Sequence, residues 1–316
     1  MKTLIAFLLL ATISCAGDVV PVTALTFTPD GRQIVFNTAS GLVVRELDDK
    51  ASPKLLLELD WPKITDMAFD PSGHWLAVCG GVPGEKGGVL LLDWPSRRVL
   101  ARWEEGADLI TAIAWTHVGN KLAVASHDQS VRVFTVGDGT LKQPMTLSGH
   151  TRSVFAVAFS PDDKLLVSTG ADRTLKVWNA DTGKLERTLA HHTDAVHCLA
   201  FRPQHAGNHC ASGGADQTVR IWQPAIGRMV RIVRHHDGPV FALAWDPQGN
   251  RLFSTGQEGT VRVIDAGSDQ VLHSWQASTD WIYRLAVSPD GKRLITGGWH
   301  GEVKVWDLSI PPAMDP

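Results

Sequence analysis

The chain predicts an all-β fold, a seven-bladed β-propeller of four-stranded antiparallel blades, from a repeat, a small-residue register and a recurring turn. A phrase close to Val-x-x-Ala/Leu-Ala-Phe/Trp-x-Pro-Asp-Gly, followed by two apolar runs, occurs seven times in 316 residues. Its clearest copies are Val154–Asp162 leading to Trp178-Asn179, Val240–Gly249 leading to Ile264-Asp265, and Ile282–Gly291 leading to Trp306-Asp307. The large apolar residue two places before the turn proline anchors each unit: Phe27, Phe69, Trp115, Phe159, Phe201, Trp245 and Val287, at steps of 42, 46, 44, 42, 44 and 42 residues. Such a period marks units that cannot bury their faces without neighbours. The residue before the anchor is Thr26, Ala68, Ala114, Ala158, Ala200, Ala244 and Ala286, a small-residue register expected where sheets crowd near an axis. Proline stands two places after the anchor in six units, and only His117 breaks the series.

One unit shows the elements in order. Ser153–Phe159 alternates small and large residues, the period of a strand. Ser160-Pro161-Asp162-Asp163 is a type I turn with proline supplying its fixed φ. Lys164–Thr169 is a second strand, and Gly170-Ala171-Asp172-Arg173 a tight turn. Thr174–Asn179 is a third strand, and Asp181-Thr182-Gly183 turns into a fourth, Lys184–Leu189. Equivalent four-stranded units favour a radial array over a sandwich. In blade two an inserted Gly80–Gly88 lengthens one rim, and its glycines predict a mobile loop.

The two ends differ from the repeats. Lys2, the apolar run Leu4–Ala11 and Ser14-Cys15-Ala16 describe a secretory signal peptide cleaved after Ala16, which predicts export. Thr12-Ile13-Ser14-Cys15 offers lipid anchoring at Cys15 as an alternative. The expected organisation is a signal peptide at 1–16, a propeller at 17–310 and a tail at 311–316. The seam is the open question. Blade seven ends near Trp306-Asp307-Leu308, and Ile310-Pro311-Pro312 cannot continue as a regular paired strand. Elsewhere the outer strand ends twelve residues before the next anchor, at Leu57, Trp103, Leu147, Leu189, Val233 and Trp275. Twelve before Phe27 is Cys15, so either Ala11–Cys15 is retained as the closing strand, in a chain that then stays cytoplasmic, or blade seven is left incomplete.

Composition narrows the function. A net charge of −3 with scattered Lys and Arg gives no electrostatic footprint for nucleic acid, and no later segment is long and apolar enough to span a membrane. Cys79, Cys198 and Cys210 have no CxxC spacing. If Ala200 faces Cys210, Cys198 is only diagonal to it, about 7–8 Å away, so three buried thiols are expected. His191-His192, His235-His236 and His205/His209 lack neighbouring ligands at metal spacing. Gly80-Gly81 and Gly87-Gly88 precede no helix that would bind phosphate. Neither a metal nor a cofactor is expected.

His150, Ser168, Asp172 and Trp178 in unit four, and His192, Ser212, Asp216 and Trp222 in unit five, invite a hydrolase reading. The sets recur at equivalent places in adjacent units, which a structural role explains and catalysis does not. With its repeats and Trp-Asp endings, the chain resembles the WD-repeat β-propellers, of a bacterial style. That resemblance implies a non-catalytic platform for protein partners, one propeller per chain inside a larger complex. It also implies that the two His-Ser-Asp-Trp sets are structural networks. Unit six has His236 and Ser254 but Glu258 and Ile264, and unit seven has Thr296 and Trp306 without the acid, so those blades are expected to lean on packing.

In such propellers partners dock at the mouth where inner strands begin. Six residues before the anchors stand Pro21, Lys63, Leu109, Ser153, Ala195, Pro239 and Trp281; four before stand Thr23, Thr65, Thr111, Phe155, His197, Phe241 and Tyr283. Trp281, Tyr283 and Trp299 are expected to cluster on blade seven beside Phe241, and with His197 and Phe155 they form the candidate partner-binding set. The alternative is that the rings only plug the mouth. An enzyme or ligand-binding propeller would need charges converging in the channel, and Lys63, Asp66, His197 and Arg284 look too sparse and divergent for that.

Overall fold

The computed structural model describes residues 9–13, 20–47, 52–203 and 207–309. Seven antiparallel sheets follow one another around a ring, six of them built from inside outwards in chain order and the seventh completed on the outside by the start of the chain. Blade four is typical, with strands Val154–Phe159, Leu165–Gly170, Leu175–Asn179 and Leu185–Leu189, within a residue of the sequence expectation. In blade three the outer position is shared by Thr140–Leu141 and Met145–Ser148. A single 3-10 turn, Pro224–Ile226, is the only helical element among the described residues.

The core lies between blades, as expected for sheets with two apolar faces. Val131 and Ala123 of blade three pack with Phe159, Leu166 and Trp178 of blade four. The seam between last and first blades is packed the same way, with Ile295, Val303 and Val305 against Leu25, Phe27, Ile34 and Phe36.

Three strands of blade seven come from its own repeat: Ile282–Val287, Arg293–Gly298 and Val303–Asp307. The fourth is Leu9–Ile13, which pairs antiparallel with Val303–Asp307. Its register matches the other outer strands. Ile13 lies opposite Val303 as Leu189 lies opposite Leu175 and Val233 opposite Val219. The bulge is reproduced too: the step from Val305/Ala11 to Trp306/Leu9 repeats the step from Val177/Arg187 to Trp178/Leu185. The closing strand therefore ends two residues before Cys15, a shift from the expected Ala11–Cys15. Cleavage after Ala16 would remove it. Cys15, Ala16 and the tail 311–316 lie outside the described residues.

The blade-two insertion is ordered, in contrast to the loop expected there. Trp75–Val82 and Lys86–Asp93 stay paired through Gly80↔Gly88, Gly81↔Gly87 and Val82↔Lys86. The glycines answer to crowding: a Cβ on Gly80 would collide with the Lys63 carbonyl, and one on Gly87 with that of Asp108. The Asp108 carboxylate also accepts the Gly84 N–H at 2.7 Å, tying the hairpin tip to blade three.

The three described cysteines are buried and unpaired. Phe201 faces Cys210 and Ala200 faces Ala211, one residue from the pairing assumed from sequence, so Cys198 lies farther from Cys210 and opposite Gly213. Burial pushes the Cys198 thiol up to about 12, and Cys79 and Cys210 are raised for the same reason. Such thiols are unreactive. No helix among the described residues is long and apolar enough to cross a membrane.

Candidate functional site

The inner strands begin at one mouth and end at the other. Around the far mouth, Thr26, Ala200 and Ala286 line a cavity of about 450 Å³ with anchors Phe27, Phe69, Phe201, Trp245 and Val287 and the turn prolines Pro29, Pro203, Pro247 and Pro289. The anchor rings also hold blades together: the indole N–H of Trp115 donates to the Ala68 carbonyl at 3.0 Å, and that of Trp245 to the Ala200 carbonyl at 3.1 Å.

The near mouth is built in two unlike halves. In blades one to three the residue four before the anchor is threonine, and each hydroxyl reaches the next blade. Thr23 Oγ1 donates to the Ile64 carbonyl at 2.5 Å, Thr65 Oγ1 to that of Ile110 at 2.6 Å, and Thr111 Oγ1 to that of Val154 at 2.7 Å. From blade four onwards rings take over this contact. Phe155 lies 5.3 Å from His197, His197 5.5 Å from Phe241, and Phe241 5.4 Å from Tyr283, centroid to centroid. Trp281 and Trp299 complete the cluster, 5.5 Å apart, with Tyr283 5.9 Å from Trp299. These spacings lie in the favourable range for ring pairs. The inner rings are half-buried, whereas Trp299 is 42% exposed.

His127 extends the arc at its other end, 6.0 Å from Phe155. It was absent from the sequence-derived set, although its position was legible: it stands twelve residues after its anchor, as Trp299 does. Burial lowers the pKa of both His127 and His197, so each is predominantly neutral at pH 7 and the arc is predominantly uncharged.

Below the arc, Asp66 and Arg284 form an ion pair at 3.6 Å in a cavity of about 140 Å³, lined otherwise by residues such as Ala112, Ala156, Cys198 and Ala242. The two do face one point, which corrects the divergence expected from sequence. Both are engaged in joining blades. Arg284 donates from Nε to the Thr23 carbonyl at 2.6 Å and from Nη2 to that of Thr65 at 2.7 Å, while Asp66 accepts the Ile113 N–H at 3.1 Å. Burial raises the Asp66 pKa, with Arg284 pulling the other way. Lys63 is exposed at the rim, apart from this pair.

The His-Ser-Asp-Trp residues come together as two matching chains of hydrogen bonds. In blade four the Trp178 indole donates to Ser168 Oγ at 2.9 Å; Ser168 Oγ lies 2.8 Å from His150 Nε2, and His150 Nδ1 lies 2.9 Å from Asp172. In blade five the corresponding distances through Trp222, Ser212, His192 and Asp216 are 2.8, 2.7 and 2.8 Å. The carboxylate accepts the Nδ1 proton, which leaves Nε2 to accept from the serine. Each carboxylate also accepts the next backbone N–H in the loop, from Thr151 and Thr193, at 3.1 Å. Ser168 and Ser212 are fully buried, so neither hydroxyl can reach a substrate.

Blade six forms the His-Ser-acid part of this chain with a longer acid and no indole, where more reliance on packing was expected. His236 Nε2 lies 2.8 Å from Ser254 Oγ and its Nδ1 2.6 Å from Glu258, which also pairs with Arg262. In blade seven the Trp306 indole donates to Thr296 at 3.1 Å, and Ser278 donates to Glu302 at 2.8 Å. Among the described residues no group of three His, Cys, Asp or Glu side chains is arranged to hold a metal. His209 is half-buried, and His205 lies outside the described residues.

These networks make stability fall with acid. Burial keeps His192 and His236 below their ordinary 6.5, despite their carboxylate partners. Burial alone would raise Glu258, but hydrogen bonds from His236 and Arg262 hold it at about 2, against an ordinary 4.5. Asp172 and Asp216 are depressed in the same way. With folded values below unfolded ones, the contribution is complete above pH 6.5 and is lost on acidification, first from the histidines and then from the acids below 4.5. The melting temperature is expected to decline steadily from pH 7 to pH 3, and Glu258→Gln to flatten the limb below 4.5. A melting temperature constant from pH 7 to pH 4 would contradict this origin.

Seven blades of this build, with His-Ser-acid networks recurring in blades four to six, define a repeat propeller. The family model for the WD domain, G-beta repeat, matches residues 54–82, 98–135, 138–179, 183–223 and 269–307, and the chain belongs to this WD40 family. A model of the anaphase-promoting complex subunit 4 WD40 domain also matches residues 215–285. An uncharacterized WD repeat-containing protein of Synechocystis sp. is 33% identical over 44% of this chain and 38% of its own length. The COMPASS component SWD3 of Saccharomyces cerevisiae is 29% identical over 42% of this chain and 40% of its own. The human intraflagellar transport protein 122 homolog is 35% identical over 34% of this chain but only 8% of its own length. The chain thus spans well under half the length of each of these relatives.

Proposed function

We propose that the protein is a non-catalytic platform that holds a protein partner on the aromatic half of its near mouth. The observation that carries this is the continuous arc from His127 through Phe155, His197, Phe241 and Tyr283 to Trp281 and the exposed Trp299. Rings that only plugged the mouth would have no need of an exposed indole at one end. Aromatic anchors in the middle of a patch carry most of the energy of a protein interface. The remaining polar networks are buried within or between blades, where they stabilise the scaffold. Two of the matches are by name parts of larger assemblies, which favours a monomeric propeller acting inside a complex.

Trp299→Ala and Trp281→Ala are expected to leave the melting temperature nearly unchanged while reducing crosslinked partner recovery at least tenfold, about 1.4 kcal/mol per tenfold. Loss of stability with partner recovery intact would defeat the reading. As for location, the leader-like start supports export, while the pairing of Leu9–Ile13 with the last strand supports keeping that segment. We favour retention of the segment as the closing strand.

A further inference from the structure

The charges flanking the arc are unevenly placed. The loops entering blades five, six and seven carry Asp194, Asp237 and Asp280, each at or next to the residue preceding the first mouth position. Asp194 and Asp237 are exposed, and Asp280 is half-buried. Asp280 lies beside the aromatic cluster: its Oδ1 accepts the Trp281 backbone N–H at 2.7 Å, and its charge adds to burial in pushing the Tyr283 phenol up to about 12. The nearby bases are His300, 3.1 Å from Asp280, and Arg173, which donates to the Thr193 carbonyl at 3.4 Å. Of the other permanent cations on this side, Arg152, Lys63 and Lys86 stand on blades four and two, Arg234 begins the loop that carries Asp237, and Arg284 is held below the arc by Asp66 and two carbonyls. The aromatic end of the mouth is thus bordered by carboxylates and faces solvent through Trp299.

Ring faces are electron-rich and attract ammonium and guanidinium groups, most strongly when the ring is an indole. A carboxylate beside the rings adds direct pairing. Resting on the platform reading, we propose that the occupant of the arc is a cationic segment of a partner protein, whose Arg or Lys side chains lie over Trp281 and Trp299 and pair with Asp280 and its neighbours. An acidic segment would meet repulsion from three carboxylates, and a wholly apolar one would leave them without partners in the interface.

Calorimetric titration of the full chain with two synthetic dodecapeptides, alternating Gly-Arg and alternating Gly-Glu, tests this. The arginine peptide is expected to bind and the glutamate peptide not to. Asp280→Asn and Trp299→Ala are each expected to weaken the arginine peptide by about five- to tenfold. Asp181→Asn, which removes the same charge at an exposed site paired with Lys121 in blade four, is expected to leave binding unchanged. Equal binding of both peptides, no binding of either, or equal effects of Asp280→Asn and Asp181→Asn would overturn the cationic assignment. The platform reading is judged separately, by whether the tryptophan variants lose the crosslinked native partner.

Discussion

Trp222→Ala is expected to lower the unfolding free energy by about 3–5 kcal/mol, among the largest effects of any single substitution in this chain. The indole is fully buried between blades four and five, among Leu165, Val167, Leu175 and Val196. Its N–H is also the donor that fixes Ser212, and through it His192. Alanine removes the packing and the donor together, leaving a cavity in a rigid interior. Trp222→Phe keeps most of the volume and is expected to cost about 1–3 kcal/mol, the penalty for an unmade buried hydrogen bond. Denaturant midpoints at pH 7 measure both. A Trp222→Ala loss below about 1 kcal/mol would mean that the blade interface relaxes far more than buried cores generally do.

Removing residues 1–16 is the second large perturbation. Without Leu9–Ile13, the main-chain groups of Val303–Asp307 on the outer side of blade seven lose their partners. At about 0.5–1.5 kcal/mol per net hydrogen bond, the lost ladder amounts to a few kcal/mol, and the bare edge is open to other chains. The shortened chain is expected to melt lower and to self-associate in light scattering, and a peptide spanning residues 7–15 to reverse both effects. A monomeric truncated chain with an unchanged melting temperature would show that the strand contributes nothing. The intact mass of the native protein is expected to include the segment.

The repeat was legible because its physics is local. Turn prolines, alternating strands and the small register near the axis are all set within one unit, and so the blade boundaries follow to within a residue or two. What escaped was set by contacts distant in sequence or by crowding. Asp66 and Arg284 lie 218 positions apart in the chain and meet only because the closed ring brings the inner strands of blades seven and two to the same channel, on either side of blade one. The run Gly80–Gly88 read as a mobile loop because glycine in sequence does not distinguish freedom from crowding. Glu258 seemed a lost acid, yet its extra methylene is accommodated and Arg262 joins it. The aromatic end of the mouth was legible as a register, and His127 would have been found by following the turn position of Trp299 through every unit.

The closing strand also orders events in time. Ile13 and Val303 are neighbours in the finished ring but 290 residues apart in the chain. At about 5–20 residues per second, synthesis separates them by roughly 15–60 s. The other outer strands find their hairpin partners almost as soon as they emerge, whereas this one must wait for the last repeat. The ring therefore cannot close until Val303–Asp307 has been made, and this slow, long-range step comes after the other blades have paired their strands. During that wait any factor that captures the first strand, such as export machinery, competes with the ring for it.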